Sequence, residues 1–104
     1  MPIFNHRRNE MSATIEVTLK KLKMPILGMG KIDIVVDGTH VLSLSLGESA
    51  SAEVSAGKHV VQAILHGVVT RKSKELEVSI EEASIAKVRG EYSRMWGSMK
   101  LQHL

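Results

Sequence analysis

Apolar and polar residues alternate with a period of two along most of this chain. Ile15, Val17 and Leu19 alternate with Thr14, Glu16, Thr18 and Lys20, the pattern of a half-buried strand. Leu22, Met24 and Ile26 continue the alternation one residue out of step. A bulge at Lys20-Lys21 accounts for the slip, because one extra residue re-aims every later side chain. Pro25 has no N–H to donate, which makes this stretch an edge strand or a loop, and Gly28-Met29-Gly30 reads as a flexible connection. Ile32, Ile34 and Val36 then alternate, Asp37-Gly38 follows, and Leu42, Leu44 and Leu46 alternate in turn. Asp-Gly between two such runs predicts a tight hairpin, since both turn residues accept positive φ; Ser43 and Ser45 face water opposite the leucines.

Gly47-Glu48-Ser49 marks a second turn, Ala50, Ala52 and Val54 a weak strand of small residues, and Ala56-Gly57-Lys58 a third turn. His59 to His66, rich in Val, Ile and Leu, reads as a central strand covered on both faces. Gly67 breaks it. Leu76, Val78 and Ile80 alternate with Glu75, Glu77, Ser79 and Glu81, and Glu81-Glu82-Ala83-Ser84 turns the chain. Ile85 to Tyr92 closes the pattern, with Ala86, Val88, Gly90 and Tyr92 on one face. About seven strands with turn signals roughly every 8–12 residues predict an all-β fold, a small antiparallel β-sandwich with immunoglobulin-like layering over residues 13–92. Residues 1–12 are polar and aperiodic, a flexible tail in which Met11 is an alternative start. Residues 93–104 form a C-terminal extension packing on the domain, a short helix by the spacing of Met95, Trp96, Met99 and Leu101, or a strand.

With 104 residues the chain holds one domain. It has no Cys, which excludes disulfides, zinc-thiolate sites, iron–sulfur clusters and a Cys nucleophile. Apolar residues make up 43% and charged residues 24%, a globular balance, and the net charge of +3 is a weak footprint for a nucleic-acid binder. Residues 1–12 lack the apolar core of a signal peptide, and no apolar run approaches the roughly 20 residues of a membrane span. A reducing cytoplasm is the default compartment.

The strand, the Val36-Asp37-Gly38 turn, the Gly47-Glu48-Ser49 turn, Ala56-Gly57-Lys58-His59-Val60-Val61-Gln62-Ala63 and Lys72-Ser73-Lys74-Glu75-Leu76-Glu77-Val78 occur in an order that resembles the small bacterial β-sandwich domains of the PEGA-like kind. The likeness covers roughly residues 30–80 and rests on turn residues and alternation. It implies architecture without a catalytic site: such domains serve as surface, envelope or accessory modules or have unknown function. This chain departs from the exported relatives in lacking a signal peptide. Asp37-Gly38 and Gly57 supply backbone conformations that other residues enter only with strain, and His59 opens a strand where its ring can cover one end of the fold.

His40, His59 and His66 are the candidate metal ligands. His59 and His66 lie an odd number of positions apart on one strand and point to opposite faces, so they cannot share a metal through that strand. Without visible convergence of three or four ligands, we expect satisfied or solvent-facing histidines. Asp33 and Asp37 bracket the first hairpin strand on the side facing water, and Asp37 has sufficient work in the turn. Ser43, Ser45, Ser49, Ser51, Ser55, Ser73 and Ser79 read as outward-facing strand and turn positions, none in a nucleophile elbow, and no phosphate-binding glycine motif is present. No catalytic, metal or cofactor residues are assigned.

Arg71, Lys72 and Lys74 form one basic cluster; Lys87, Arg89, Arg94 and Lys100 form a second near the C-terminus. Arg71, Lys72, Lys74, Lys87 and Arg89 are candidate anion contacts. Tyr92, Arg94, Met95, Trp96 and Met99 are candidate partner contacts, since Trp, Met and Arg concentrate in interface cores. The alternative for Trp96 is a plug at one end of the domain. These readings combine into a non-enzymatic interaction module that contacts a protein partner or itself through strand edges and the C-terminal segment. The alternative is a weak nucleic-acid or anionic-surface binder, and an enzyme comes third.

Overall fold

The structure, a computed structural model, describes residues 12–22, 30–67, 69–93 and 97–104. Among these lie nine strands and no helix: β1 (Ser12–Leu19), β2 (Ile32–Val36), β3 (Thr39–Leu44), β4 (Ser49–Ser55), β5 (Gly57–Leu65), β6 (Arg71–Lys72), β7 (Leu76–Ile80), β8 (Ile85–Ser93) and β9 (Ser98–His103). No helix of the described residues is long and apolar enough to cross a membrane.

The strands form two open sheets. One is mixed rather than wholly antiparallel as expected, in the order β4-β1-β8-β9, with β1 and β8 parallel and the other pairs antiparallel. The other is antiparallel, in the order β3-β2-β5, with β6 and β7 both pairing on the far side of β5. The chain passes repeatedly between them: β1 lies in the first, β2 and β3 in the second, β4 in the first, β5 to β7 in the second, β8 and β9 in the first.

Nine strands replace the expected seven for two reasons. The first is β9. The extension read as a short helix or a strand is a strand from Ser98, antiparallel to β8, with Met99 opposite Tyr92 and Leu101 opposite Gly90. The second is a bulge. Ile64 faces Lys72 and Val61 faces Leu76, so two residues of β5 oppose Ser73, Lys74 and Glu75. Ser73 repairs the interrupted ladder: its N–H donates to the Ala63 carbonyl at 2.8 Å and its Oγ accepts from the Ala63 N–H at 2.9 Å. Ser73 is therefore buried, contrary to its reading as an outward position. β1 begins one residue before the expected start of the domain, since Ser12 pairs with Ser55 of β4. The expected continuation through Met24 and Ile26 falls outside the described residues.

The alternation does what a period of two requires. Ile15, Val17 and Leu19 from β1, Ala86 and Val88 from β8, and Met99 and Leu101 from β9 join Ile32, Ile34, Val36, Leu44, Val61, Ala63, Leu65, Val78 and Ile80 from the second sheet in one buried apolar cluster. Leu42 and Leu46 pack partly buried against it. The hairpin turn has Asp37 at φ 52 and Gly38 at φ 82, the two positive values a two-residue turn of this hand demands. Gly90 has a different reason. A Cβ there would lie 2.7 Å from Leu19 Cδ2 and 3.1 Å from Met99 Sδ, so its missing side chain is what lets β1 and β9 close over β8.

Candidate functional site

The tight corner between the sheets is made by Ala56 and Gly57, the latter at φ 121, as the chain leaves β4 and enters β5. His59, the second residue after Gly57, turns into the core side of β5 and is 7% exposed. Its Nδ1 lies 2.6 Å from Asp37 Oδ2 and its Nε2 2.5 Å from the Ser55 carbonyl oxygen. The carboxylate and the carbonyl can only accept, so these two short contacts favour the doubly protonated ring, with the Ser55 hydroxyl farther from Nε2 at 3.5 Å. Burial opposes that charge, but the Ser55 carbonyl and the Asp37 carboxylate outweigh it and hold the His59 pKa above its ordinary value. Asp37 completes the tie: its Oδ1 accepts the Val60 N–H at 2.8 Å, and that bond, with His59, holds its carboxyl below the usual range. The Asp-Gly turn and the Gly-Lys-His corner, 20 residues apart in sequence, thus lock the β2–β3 hairpin to β4 and β5 through one ring.

A second polar cluster lies on the outer face of the β3-β2-β5 sheet. Asp33 stands opposite Ser43 on β3 and opposite Ile64 on β5. Ser43 Oγ donates to Asp33 Oδ1 at 2.7 Å, and His66 Nε2 donates to Asp33 Oδ2 at 2.7 Å. His40 Nε2 lies 2.8 Å from Ser43 Oγ and 3.4 Å from Asp33 Oδ1. The Ser43 bond first, then His66, holds the Asp33 carboxyl below its usual range. The residues of a serine–histidine–carboxylate constellation are present, but the proton directions are wrong. With the Ser43 proton given to Asp33, His40 donates to Oγ instead of withdrawing its proton, and the carboxylate touches the serine rather than orienting the far nitrogen of the ring. His40 and His66 are about half exposed, so no water-excluded pocket surrounds them.

The three histidines therefore separate as the odd spacing implied. His59 faces the core, while His66 meets His40 at Asp33 on the opposite face. Among the described residues, no group of three His, Asp or Glu side chains is placed to hold a metal ion.

The candidate anion contacts divide. Lys72 and Lys74, together with Lys100 from the second basic cluster, line a cleft of about 890 Å³ between the β6–β7 bulge and β9, where Ser73, Met99 and Leu101 also contribute. Arg71 reaches the same end of the fold, its Nε 3.8 Å from where a Cβ on Gly97 would sit. Lys87 and Arg89 instead stand on the exposed face of β8, opposite Glu16 and Thr18 of β1. The candidate partner contacts divide too. Tyr92 is half-buried against the core, and Met99 is a core side chain, 3% exposed, that also lines the cleft. Arg94, Met95 and Trp96 lie outside the described residues.

Contact through strand edges was expected from the sequence, but which strands are edges follows only from the strand order. The outer strands are β4 and β9 in one sheet, and β3 and the β6–β7 pair in the other. β3 carries a register shift opposite Ile34/Val35, the β6–β7 edge is bulged, and β9 carries Lys100. Charge and bulges are the ordinary devices that protect an edge from further pairing. β4 is seven residues long, continuous in its register with β1, and has Glu53 as its one charge. Among the described residues it is also the one long edge with no buried residue: Ala50, Ala52 and Val54 on its inner side are only half-buried, whereas Leu44, Val78, Ile80, Met99 and Leu101 on the other edges are buried. The signal in the sequence was the smallness of Ala50 and Ala52, which lowers the strand propensity and leaves the inner layer thin.

No family model matches the chain, and no curated protein matches its sequence.

Proposed function

We propose that this chain is a non-enzymatic interaction module of the PEGA-like kind, its two sheets layered as an immunoglobulin-like sandwich, and that it binds by accepting an extended segment at the edge of β4. The observation that carries the reading is that β4 is unprotected in backbone and side chain together: no bulge, no proline, one charge, and an inner row left half-open. Strand addition uses main-chain hydrogen bonds for affinity and alternate side chains for specificity. A row of small residues such as Ala50, Ala52 and Val54 leaves room for larger side chains from the added strand. Neither polar cluster competes as a reaction centre, because His59 is committed to two acceptors and Ser43 gives its proton to Asp33.

The cleft lined by Lys72, Lys74 and Lys100 supports a second reading, an anion-binding surface, since three lysines from two parts of the chain line it against one carboxylate, Glu75. One experiment separates the two. The full ¹⁵N-labelled chain is titrated with a library of peptides of about eight residues, alternating β-branched and polar, long enough to span one strand, and in parallel with a single-stranded oligonucleotide. Strand addition predicts shifts concentrated on residues 49–55 with peptide, insensitive to salt. Shifts confined to Lys72, Lys74 and Lys100 with the oligonucleotide, fading steeply as salt rises, would replace it with the second reading.

A further inference from the structure

The β4 edge is complementary to itself. We propose that β4 pairs antiparallel with the β4 of a second copy about a twofold axis at Ala52, joining two four-stranded sheets into one of eight strands. The inference rests on the reading of β4 as the docking edge and names its partner.

In that register Ala52 faces Ala52, Ala50 faces Val54, Ser51 faces Glu53 and Ser49 faces Ser55. The single charge of the strand meets a hydroxyl, not its own copy, and the two Glu53 side chains stand on a diagonal roughly 7–8 Å apart rather than directly opposed. On the inner side, small Ala and Val side chains let the strands approach to the ordinary spacing of about 4.8 Å. Each copy then covers the half-open row of the other, the coverage that every other long edge has within its own chain. On the outer side, Thr18 and Ser49 already share a hydrogen bond at 2.9 Å, so the serine row of β4 continues a polar surface across the seam. The pairing also stops by itself. A twofold contact uses the same patch on both copies, and the ends of the joined sheet are then the two β9 strands, each carrying Lys100, which discourage further addition.

The chain contains no Cys, which makes the register directly testable. Ala52→Cys places a single thiol on the proposed axis, where its Cβ faces its own copy at a distance a disulfide can span. Mild oxidation is expected to convert A52C to a covalent dimer at least about tenfold faster than S49C or S55C alone, while an equal mixture of S49C and S55C cross-links. Sedimentation equilibrium of the unaltered chain is expected to give twice 11.4 kDa, and Ala52→Lys, which puts a charge on the inner side of the seam, is expected to return it to the monomer with its circular dichroism unchanged. Equal cross-linking at positions 49, 52 and 55, or a monomeric mass up to the solubility limit, overturns the self-pairing. If that happens while peptides still shift residues 49–55, the self-pairing alone falls and strand addition stands. If those shifts are absent as well, both fall.

Discussion

Truncation of Ile34 to alanine is expected to lower the free energy of unfolding by about 2–5 kcal/mol, read from denaturant midpoints at constant slope. Ile34 lies on the middle of β2, is fully buried, and faces Leu42 on one side and Ala63 on the other. Nothing nearby can fill the space it would leave, because Ile15, Val17, Val61 and Val78 are already at or near zero exposure in the same cluster. The same truncation at Ile85, which is 60% exposed at the start of β8, is expected to cost no more than about 0.5 kcal/mol. A domain of this size has on the order of 5–15 kcal/mol in all, so the Ile34 variant spends a large share of the stability and the Ile85 variant almost none. Equal effects at the two positions would mean that the faces of the sheets have been assigned wrongly.

His59→Gln is expected to lower stability at pH 6 by about 2–3 kcal/mol, since two hydrogen bonds of a charged ring are lost and the exposed half of Asp37 is compensated by water. The pH dependence is the sharper readout. The folded pKa of His59 is raised, so its contribution is fully present below the ordinary value of 6.5 and is lost as pH rises through the higher folded value. Above that range a neutral ring has one N–H for two acceptors, and one nitrogen lone pair is left facing the Ser55 carbonyl or the Asp37 carboxylate. Asp33 and Asp37 act in the opposite direction: both are held below the usual carboxylate range, so their contribution is present above about pH 4 and is lost as pH falls further. Thermal denaturation between pH 6 and pH 9 is expected to show the unaltered chain losing stability relative to His59→Gln, with the gap between them closing. His40 and His66 are present in both chains and cancel in the comparison. A gap that stays constant or widens with pH would show that the ring is neutral and that the imidazolium tie is wrong.

Much of this architecture was written in local pattern. Alternation alone placed Ile15, Val17 and Leu19 on one side of β1 and turned Ile85 outward while Ala86 and Val88 turned in. Asp37-Gly38 announced a turn that only two positive φ values can make. What stayed hidden was set by partners distant in the chain. Nothing in the sequence reveals that β1 runs parallel to β8, or that His59 finds Asp37, 22 positions away. β9 was ambiguous for a definable reason: Met99 and Leu101 alternate correctly, but with Met95 and Trp96 they also fit a helical spacing. β6 consists of Arg71 and Lys72, with no apolar residue to give it away, and Ser73 looked like any surface serine until the bulge buried it. The candidate site was the least legible part. An edge is a property of strand order, and strand order is decided by which faces need covering, so the weakness of Ala50 and Ala52 as strand formers was visible while its consequence was not.

A docking edge at β4 requires one side of the strand bonded to β1 and the other open, and amide hydrogen exchange resolved along Ser49–Ser55 measures this residue by residue. In dilute protein every second amide of β4 should exchange freely while the intervening amides, which face β1, stay protected; raising the protein concentration should protect the free set. Uniform protection of all β4 amides at every dilution, or no protection of any, would contradict it.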